Sequence, residues 1–236
     1  VLAEMGVGVR SWVEAIGAES TGRLDPASVD AAAVDSSDVS CPDEVVARRM
    51  RAAIDAARED GESLGGVFVV VAEGLVPGVG GYAEAVSRLD ARLGAAVLSI
   101  PAIKGVEFGD GFMSAALPGS QVHDEILPGD RHLVRATNHA GGIEGGMTNG
   151  ETLVLRAAMK PIPTLMRPLR TVDIVTGEVA DAARERSDVC AVPAAAVVAE
   201  AEVALVLADA YQDLLGRASV GDMTRALESY RARIGW

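Results

Sequence analysis

Residues 138–164 read NHAGGIEGGMTNGETLVLRAAMKPIPT, and the change of character halfway along this stretch is the strongest guide to the fold. Its first half carries Gly141, Gly142, Gly145, Gly146 and Gly150 among polar residues, more glycine than a turn between two strands needs. Glycine reaches positive φ without steric cost and lets backbone amides come close to an anion, so the pattern predicts a ligand-cradling loop. The second half predicts a β-strand ending at Lys160. Pleating places Val154, Arg156, Ala158 and Lys160 on one face and Leu153, Leu155, Ala157 and Met159 on the other. Two cations then share one side of the strand beside a donor-rich loop. An elaborate hairpin turn with a charged outer face fits the same spacing, and spacing alone does not separate the two.

Outward from this stretch, strands alternate with helices. Residues 7–16 and 67–71 are rich in β-branched residues and predict strands, 106–107 and 172–175 predict shorter ones, and 22–40 predict a small, polar surface connection. Ser40 is the expected N-cap of a helix whose stripe is Val46, Met50, Ile54 and Ala57, ending before Gly61. Leu89, Leu93, Val97 and Ile100 predict a helix over 82–100. A last long helix is expected from Pro193, which suits a first helical position, to Gly216. With no internal repeat and no low-complexity linker, residues 1–236 read as a single domain of mixed α and β structure.

Composition narrows the function. The 236 residues are 49% hydrophobic, enough for a substantial core. A net charge of −13 with 3% aromatic residues argues against nucleic acid, which calls for a basic footprint and stacking platforms, and disfavours an anionic membrane surface. The apolar run 191–210 is nearly long enough to span a bilayer, but Glu200, Glu202 and Asp209 interrupt it, so a buried helix is expected. Cys41 and Cys190 make no disulfide framework, which fits a reducing cytosol, and no export signal is visible. Lys104 and Lys160 are the only lysines among many arginines. Each lies in a Gly- or Pro-flanked motif, which suggests that a compact ammonium is wanted there.

Several constellations compete. Gly78, Gly80 and Ala83 form a G-x-G-x-x-A pattern between a strand and a helix, the layout of a dinucleotide fingerprint. Pro77 in the turn and the lack of a following strand ending in an acid weigh against it. His123, Asp124 and Glu125 are consecutive and cannot all face one metal, so a solvated or capping role is expected. His139 is expected to be an exposed loop histidine. Arg186, Ser187 and Asp188 precede the Pro193 helix, whose N-terminal end favours negative charge, and an adjacent arginine keeps a carboxylate ionised. An ordinary surface ion pair with a helix cap explains the same triplet.

NHAGGIEGGMTNG followed by MKPIPT resembles the central signature of the chorismate synthase family. Two further segments agree in order and spacing: IPAIKGVEFGDGF (100–112) with GSQVHDEI (119–126), and RSDVCAVPAAAVVAE (186–200). The resemblance covers about residues 61–216. It implies an α+β sandwich with helices packed between antiparallel sheets, a homotetramer in the cytoplasm, and a place in aromatic amino-acid biosynthesis. The family's GESHG-like start, an arginine-rich stretch and an RxSxRETA-like helix have no counterpart, so the chain is expected to be the larger, C-terminal portion of the family fold.

By resemblance the reaction is the 1,4-anti elimination of phosphate from 5-enolpyruvylshikimate 3-phosphate to give chorismate, with reduced FMN as cofactor and NADPH as a candidate reductant. Matched residue by residue, Pro101 and Ala102 lie along the flavin and Gly145 lets backbone approach it. Lys160, Pro161, Ile162, Pro163 and Thr164 hold its phosphate or ring edge. Arg186 meets the flavin or the anionic substrate, and Asp188 assists proton transfer as the catalytic residue. No metal is implied. The competing expectation is a folded but catalytically incomplete piece that keeps oligomerisation and partial flavin binding.

Overall fold

A computed structural model describes residues 1–129, 132–185 and 188–236. At its centre is an antiparallel sheet in the order β2-β1-β3-β9-β4. Its strands are β1 (Gly8–Ile16), β2 (Glu19–Ser20), β3 (Gly66–Glu73), β4 (Ile103–Phe108) and β9 (Leu153–Met159). Short antiparallel hairpins make up the other strands: β5 (Ile126–Pro128) with β6 (Leu133–Arg135), β7 (Ile143–Glu144) with β8 (Met147–Thr148), and β10 (Arg170–Val172) with β11 (Val179–Asp181). The helices are α1 (Ala31–Ser36), α2 (Glu44–Asp60), α3 (Leu89–Leu98), α4 (Val192–Leu215) and α5 (Val220–Ile234). The expected α+β class holds. Of the sandwich, the described residues supply this five-stranded sheet and the helical layer on one of its faces.

Strand alternation sorts the sheet into two faces. Val13, Phe68, Val70, Leu153, Leu155 and Ala157 are buried and join Leu93 and Val97 of α3 and Ala196, Ala199, Val203 and Leu207 of α4 in the main core. On the other face Trp12, Val69 and Val71 form a smaller cluster under Val34 of α1. Helix α4 packs on β1 and β3 and against α3. The side of α4 away from the sheet is also apolar, with Val197, Val198 and Leu205 exposed.

Four expectations are corrected. Helix α2 is capped by Asp43, whose carboxylate accepts the Val45 and Val46 amides, while Ser40 sits at φ 53° outside the helix. A carboxylate at the positive helix end serves better than a hydroxyl three residues upstream. Helix α3 begins at Leu89 rather than residue 82, because the Leu89 amide donates to Gly146 O (2.8 Å) and residues 82–88 form turns ahead of that tie. Strand β10 ends at Val172, before the 173–177 turn in which Asp173 accepts the amides of Val175 and Thr176. Helix α5 was not anticipated, although Ser219 three residues before Asp222 and the stripe Met223, Leu227, Tyr230 are legible start and face signals.

A candidate site at the two ends of strand β9

Strand β9 alternates as expected, with Leu153, Leu155 and Ala157 buried and Ala158 and Lys160 exposed. Its seven residues span about 20 Å, and the residues singled out from the sequence divide between its two ends.

The glycine-rich loop lies at the Leu153 end and is firmly held. Asp124, 7% exposed, accepts the Thr137 hydroxyl (2.6 Å) and the amides of His139 (2.8 Å) and Ala140 (2.9 Å). Burial alone would push this carboxyl up, but the three hydrogen bonds and nearby His139 together outweigh it and hold Asp124 below the usual carboxylate range. The expected solvated role for Asp124 is therefore corrected to that of a buried loop anchor. Asn138 adds a second clamp, donating to Thr152 O (2.7 Å) and accepting the Gly142 amide (2.8 Å). Gly141, at φ 64°, leaves no room for a side chain, since a Cβ would sit 2.2 Å from Gly109 N. Gly145, at φ 60°, is exposed, and a Cβ there would meet nothing within 4 Å.

His139 is half-buried rather than a plain exposed loop residue. Its Nδ1 lies 2.5 Å from Asp110 Oδ2, and the Asp110 amide returns a bond to His139 O (2.9 Å). Asp110 has no role that the sequence alone predicts. The available signal was an acid between two glycines, Gly109 and Gly111, in the GDG turn.

Gly78 and Gly80, the dinucleotide alternative, are committed to packing. The Gly78 amide donates to Thr148 O (2.8 Å), the Val79 amide to Thr148 Oγ1 (2.9 Å), and Gly80 bridges to Met147. These amides face the chain's own hairpin and not a cofactor, which corrects that reading.

At the Met159 end the structure gathers another set. Lys160 donates its amide to Ala102 O (2.9 Å), and Ala102 itself holds a left-handed φ of 68° beside Pro101. Ser63 Oγ donates to Ile162 O (2.6 Å), and Gly65 lies so close to Met159 and Pro161 that a Cβ would be 2.2 Å from Met159 O. The segment after Asp188 runs alongside, with Leu64 N donating to Val189 O (2.8 Å) and Leu64 bridged to Cys190. Pro101, Ala102, Lys160, Pro161, Ile162 and Asp188 thus share one end of the sheet, followed by Pro163 and Thr164. Arg186, with Ser187, lies outside the described residues.

Gly145 stands at the opposite end of β9 and lines a cavity of about 400 Å³ with His123, Asp124, His139 and Glu144. One strand therefore carries two groups of residues, not one cluster around a single point.

The expected pair of available cations is also corrected. Arg156 is clamped by Glu14 and Glu107, and hydrogen bonding to Glu14 raises its pKa above the ordinary arginine value despite burial. Its charge is already neutralised. Lys160 is exposed and has no ion pair among the described residues, which leaves its ammonium for an incoming anion.

The fold defines an α+β protein with an antiparallel sheet and a glycine-rich loop feeding its fourth strand in spatial order. Comparison with known proteins then gives the family. A family model described as chorismate synthase matches residues 1–212. A chorismate synthase of Rubrobacter xylanophilus is 54% identical over 235 residues, covering 100% of this chain and 60% of that protein. One of Nocardia farcinica is 53% identical over 231 residues, covering 98% and 57%. A solved structure, "Crystal Structure of Chorismate Synthase", superposes with a TM-score of 0.85 at 36% identity over 99% of this chain and 66% of that one. The chain belongs to the chorismate synthase family. It spans about 60% of the length of the curated relatives it matches. No described helix is long and apolar enough to cross a membrane.

Proposed function

We propose that this chain carries out the chorismate synthase reaction, the 1,4-anti elimination of phosphate from 5-enolpyruvylshikimate 3-phosphate, as a lyase of aromatic amino-acid biosynthesis. The observation that carries the reading is the Met159 end of β9, where the Lys160 ammonium, with no ion pair among the described residues, comes together with a sharp Pro101–Ala102 corner and the Asp188 segment. These residues suit a phosphate-bearing planar cofactor, reduced FMN in this reading with NADPH as a candidate reductant. Lys160 supplies a compact cation for a phosphate, and Pro161, Ile162, Pro163 and Thr164 line the chain beside it. Pro101 and Ala102 offer an apolar edge for a ring, and Arg186 a further cation for the flavin or substrate.

When bound, the reduced flavin supplies an electron-rich system that stabilises electron deficiency as phosphate leaves. The protein's own task is to orient the substrate, exclude water and manage a proton. Asp188 offers an exposed carboxylate for holding and passing on the proton removed from the ring. Gly145 is read as a second approach of backbone to the flavin, from the other end of the strand. The working form is proposed to be a cytoplasmic homotetramer.

Titration of the chain with FMN, followed by a chorismate absorbance assay, tests the reading. Asp188→Asn is expected to lower kcat by roughly 100-fold, the range for losing a positioned acid–base group. An unchanged kcat in a folded variant removes Asp188 from the reaction. Normal FMN binding with no turnover would instead support the catalytically incomplete piece.

A further inference from the structure

The short connection between α2 and β3 runs past both chain segments that meet at the Met159 end of β9, and the proposed reaction gives it no part. The Arg167 amide donates to Gly61 O (3.1 Å). Ser63 Oγ donates to Ile162 O (2.6 Å). The Leu64 amide donates to Val189 O (2.8 Å), one residue beyond Asp188, and Leu64 bridges in parallel to Cys190. Gly65 O then accepts the Gly17 amide (2.9 Å), which ties the connection back to the chain just past β1. Three consecutive residues therefore grip the Lys160 segment by a side chain and the Asp188 segment by a backbone amide.

Proline chemistry explains why a side chain is used. Pro161 and Pro163 have no amide hydrogen, and the Lys160 amide is already spent on Ala102 O (2.9 Å). A donor that is to hold this segment must reach its carbonyls. Ser63, 7% exposed, reaches that of Ile162. Each proline also fixes its own φ and confines the residue before it to extended backbone, so residues 160–163 keep few soft dihedrals. Fixing the Ile162 carbonyl therefore fixes the direction in which Lys160 leaves the strand. Gly65 supplies the room. Its φ is not positive, so space and not conformation demands glycine: a Cβ there would sit 2.2 Å from Met159 O and 2.9 Å from Lys160 C and Pro161 N.

We propose that Ser63 is a positioning residue for the flavin phosphate: through Ile162 O it holds Lys160 where its ammonium meets that phosphate, while the adjoining Leu64 amide keeps the Asp188 segment in the same frame. Resting on the flavin reading above, this role falls to a buried hydroxyl that itself touches neither flavin nor substrate. Its effect on binding must then pass through Lys160. A hydroxyl that only stabilises the fold lowers stability and leaves the affinity of the folded chain alone. A positioning hydroxyl changes affinity, and does so only while the ammonium it positions is present.

A double-mutant cycle on the whole chain reads this, with FMN affinity taken from flavin fluorescence and stability from urea denaturation in parallel. Ser63→Ala is expected to weaken FMN about fivefold, the scale of one neutral hydrogen bond. In a Lys160→Ala background, the same change should cost less than about twofold more. Ser63→Thr keeps the hydroxyl and should bind within about twofold of wild type. Where Ser63→Ala fails to fold, Ser63→Cys takes its place in the cycle, since a thiol nearly keeps the volume and is a weak donor. The proposal is overturned by a folded Ser63→Ala, or the Cys variant in its place, that binds FMN as the wild type does. It is equally overturned if the double variant loses the full product of the two single effects. A wild-type chain that binds no FMN overturns the flavin reading together with this one, whereas wild-type binding with an inert Ser63 substitution overturns this one alone.

Discussion

At the Leu153 end of β9 the backbone of residues 138–142 is tied by Asp124, Asn138 and Asp110, all of them half-buried or buried. At the Met159 end the corresponding corner is held by single bonds, Lys160 N to Ala102 O and Ser63 Oγ to Ile162 O, and Lys160, Pro161 and Pro163 are exposed. The glycine-rich end is therefore the rigid one, and the proline-bearing end is the open one. Glycine content measures which φ values a loop can adopt and not how freely it moves, since a loop whose glycines are packed against backbone has nowhere to go.

Substitutions can break or sharpen this contrast. Gly141→Ala should be the most damaging, by about 4 kcal/mol or more, because it combines positive φ with a Cβ inside backbone contact distance. Urea denaturation reads this, and a loss under about 1 kcal/mol would mean that the loop gives way easily. Asp124→Ala should cost about 2 kcal/mol by orphaning two partly buried amides, with faster amide exchange at His139 and Ala140 as its local signature. Asp124 also predicts an acid limb. Its folded pKa lies below the unfolded value, so its contribution is present above about pH 4. That stability is lost as pH falls further, and Asp124→Asn should flatten the slope of stability against pH in that range.

Gly145→Ala should cost only about 1 kcal/mol, the strain of a positive φ without a clash. Lys160→Ala should change stability by less than about 0.5 kcal/mol while weakening FMN binding about tenfold in a flavin titration. Equal stability losses at Gly141, Gly145 and Lys160 would remove the distinction between the ends.

Much of the scaffold could be read from the chain itself. The two faces of β9, the stripe of α2 with its stop at Gly61, and the Pro193 start of α4 follow from local periodicity and end signals, and the structure matches them. What could not be read was tertiary commitment. Asp124 and His139 look like surface residues in a linear pattern, and only the fold shows that their partners come from residues 110 and 137–140. Arg156 resembles a spare cation until β1 and β4 bring Glu14 and Glu107 against it. The start of α3 shifted because a carbonyl nearly sixty residues later fixes Leu89, a tie that helical spacing does not record. For the site, family resemblance brought Pro101, Ala102, Lys160 and Asp188 forward together, whereas periodicity alone offered no reason to associate them.

The outward side of α4 has a practical corollary. Val197, Val198 and Leu205 exposed on an otherwise packed helix make a sticky stripe that the chain's strong negative charge keeps apart in dilute buffer. Screening that repulsion with concentrated salt should bring copies together, so solubility of the isolated chain should fall as ionic strength rises.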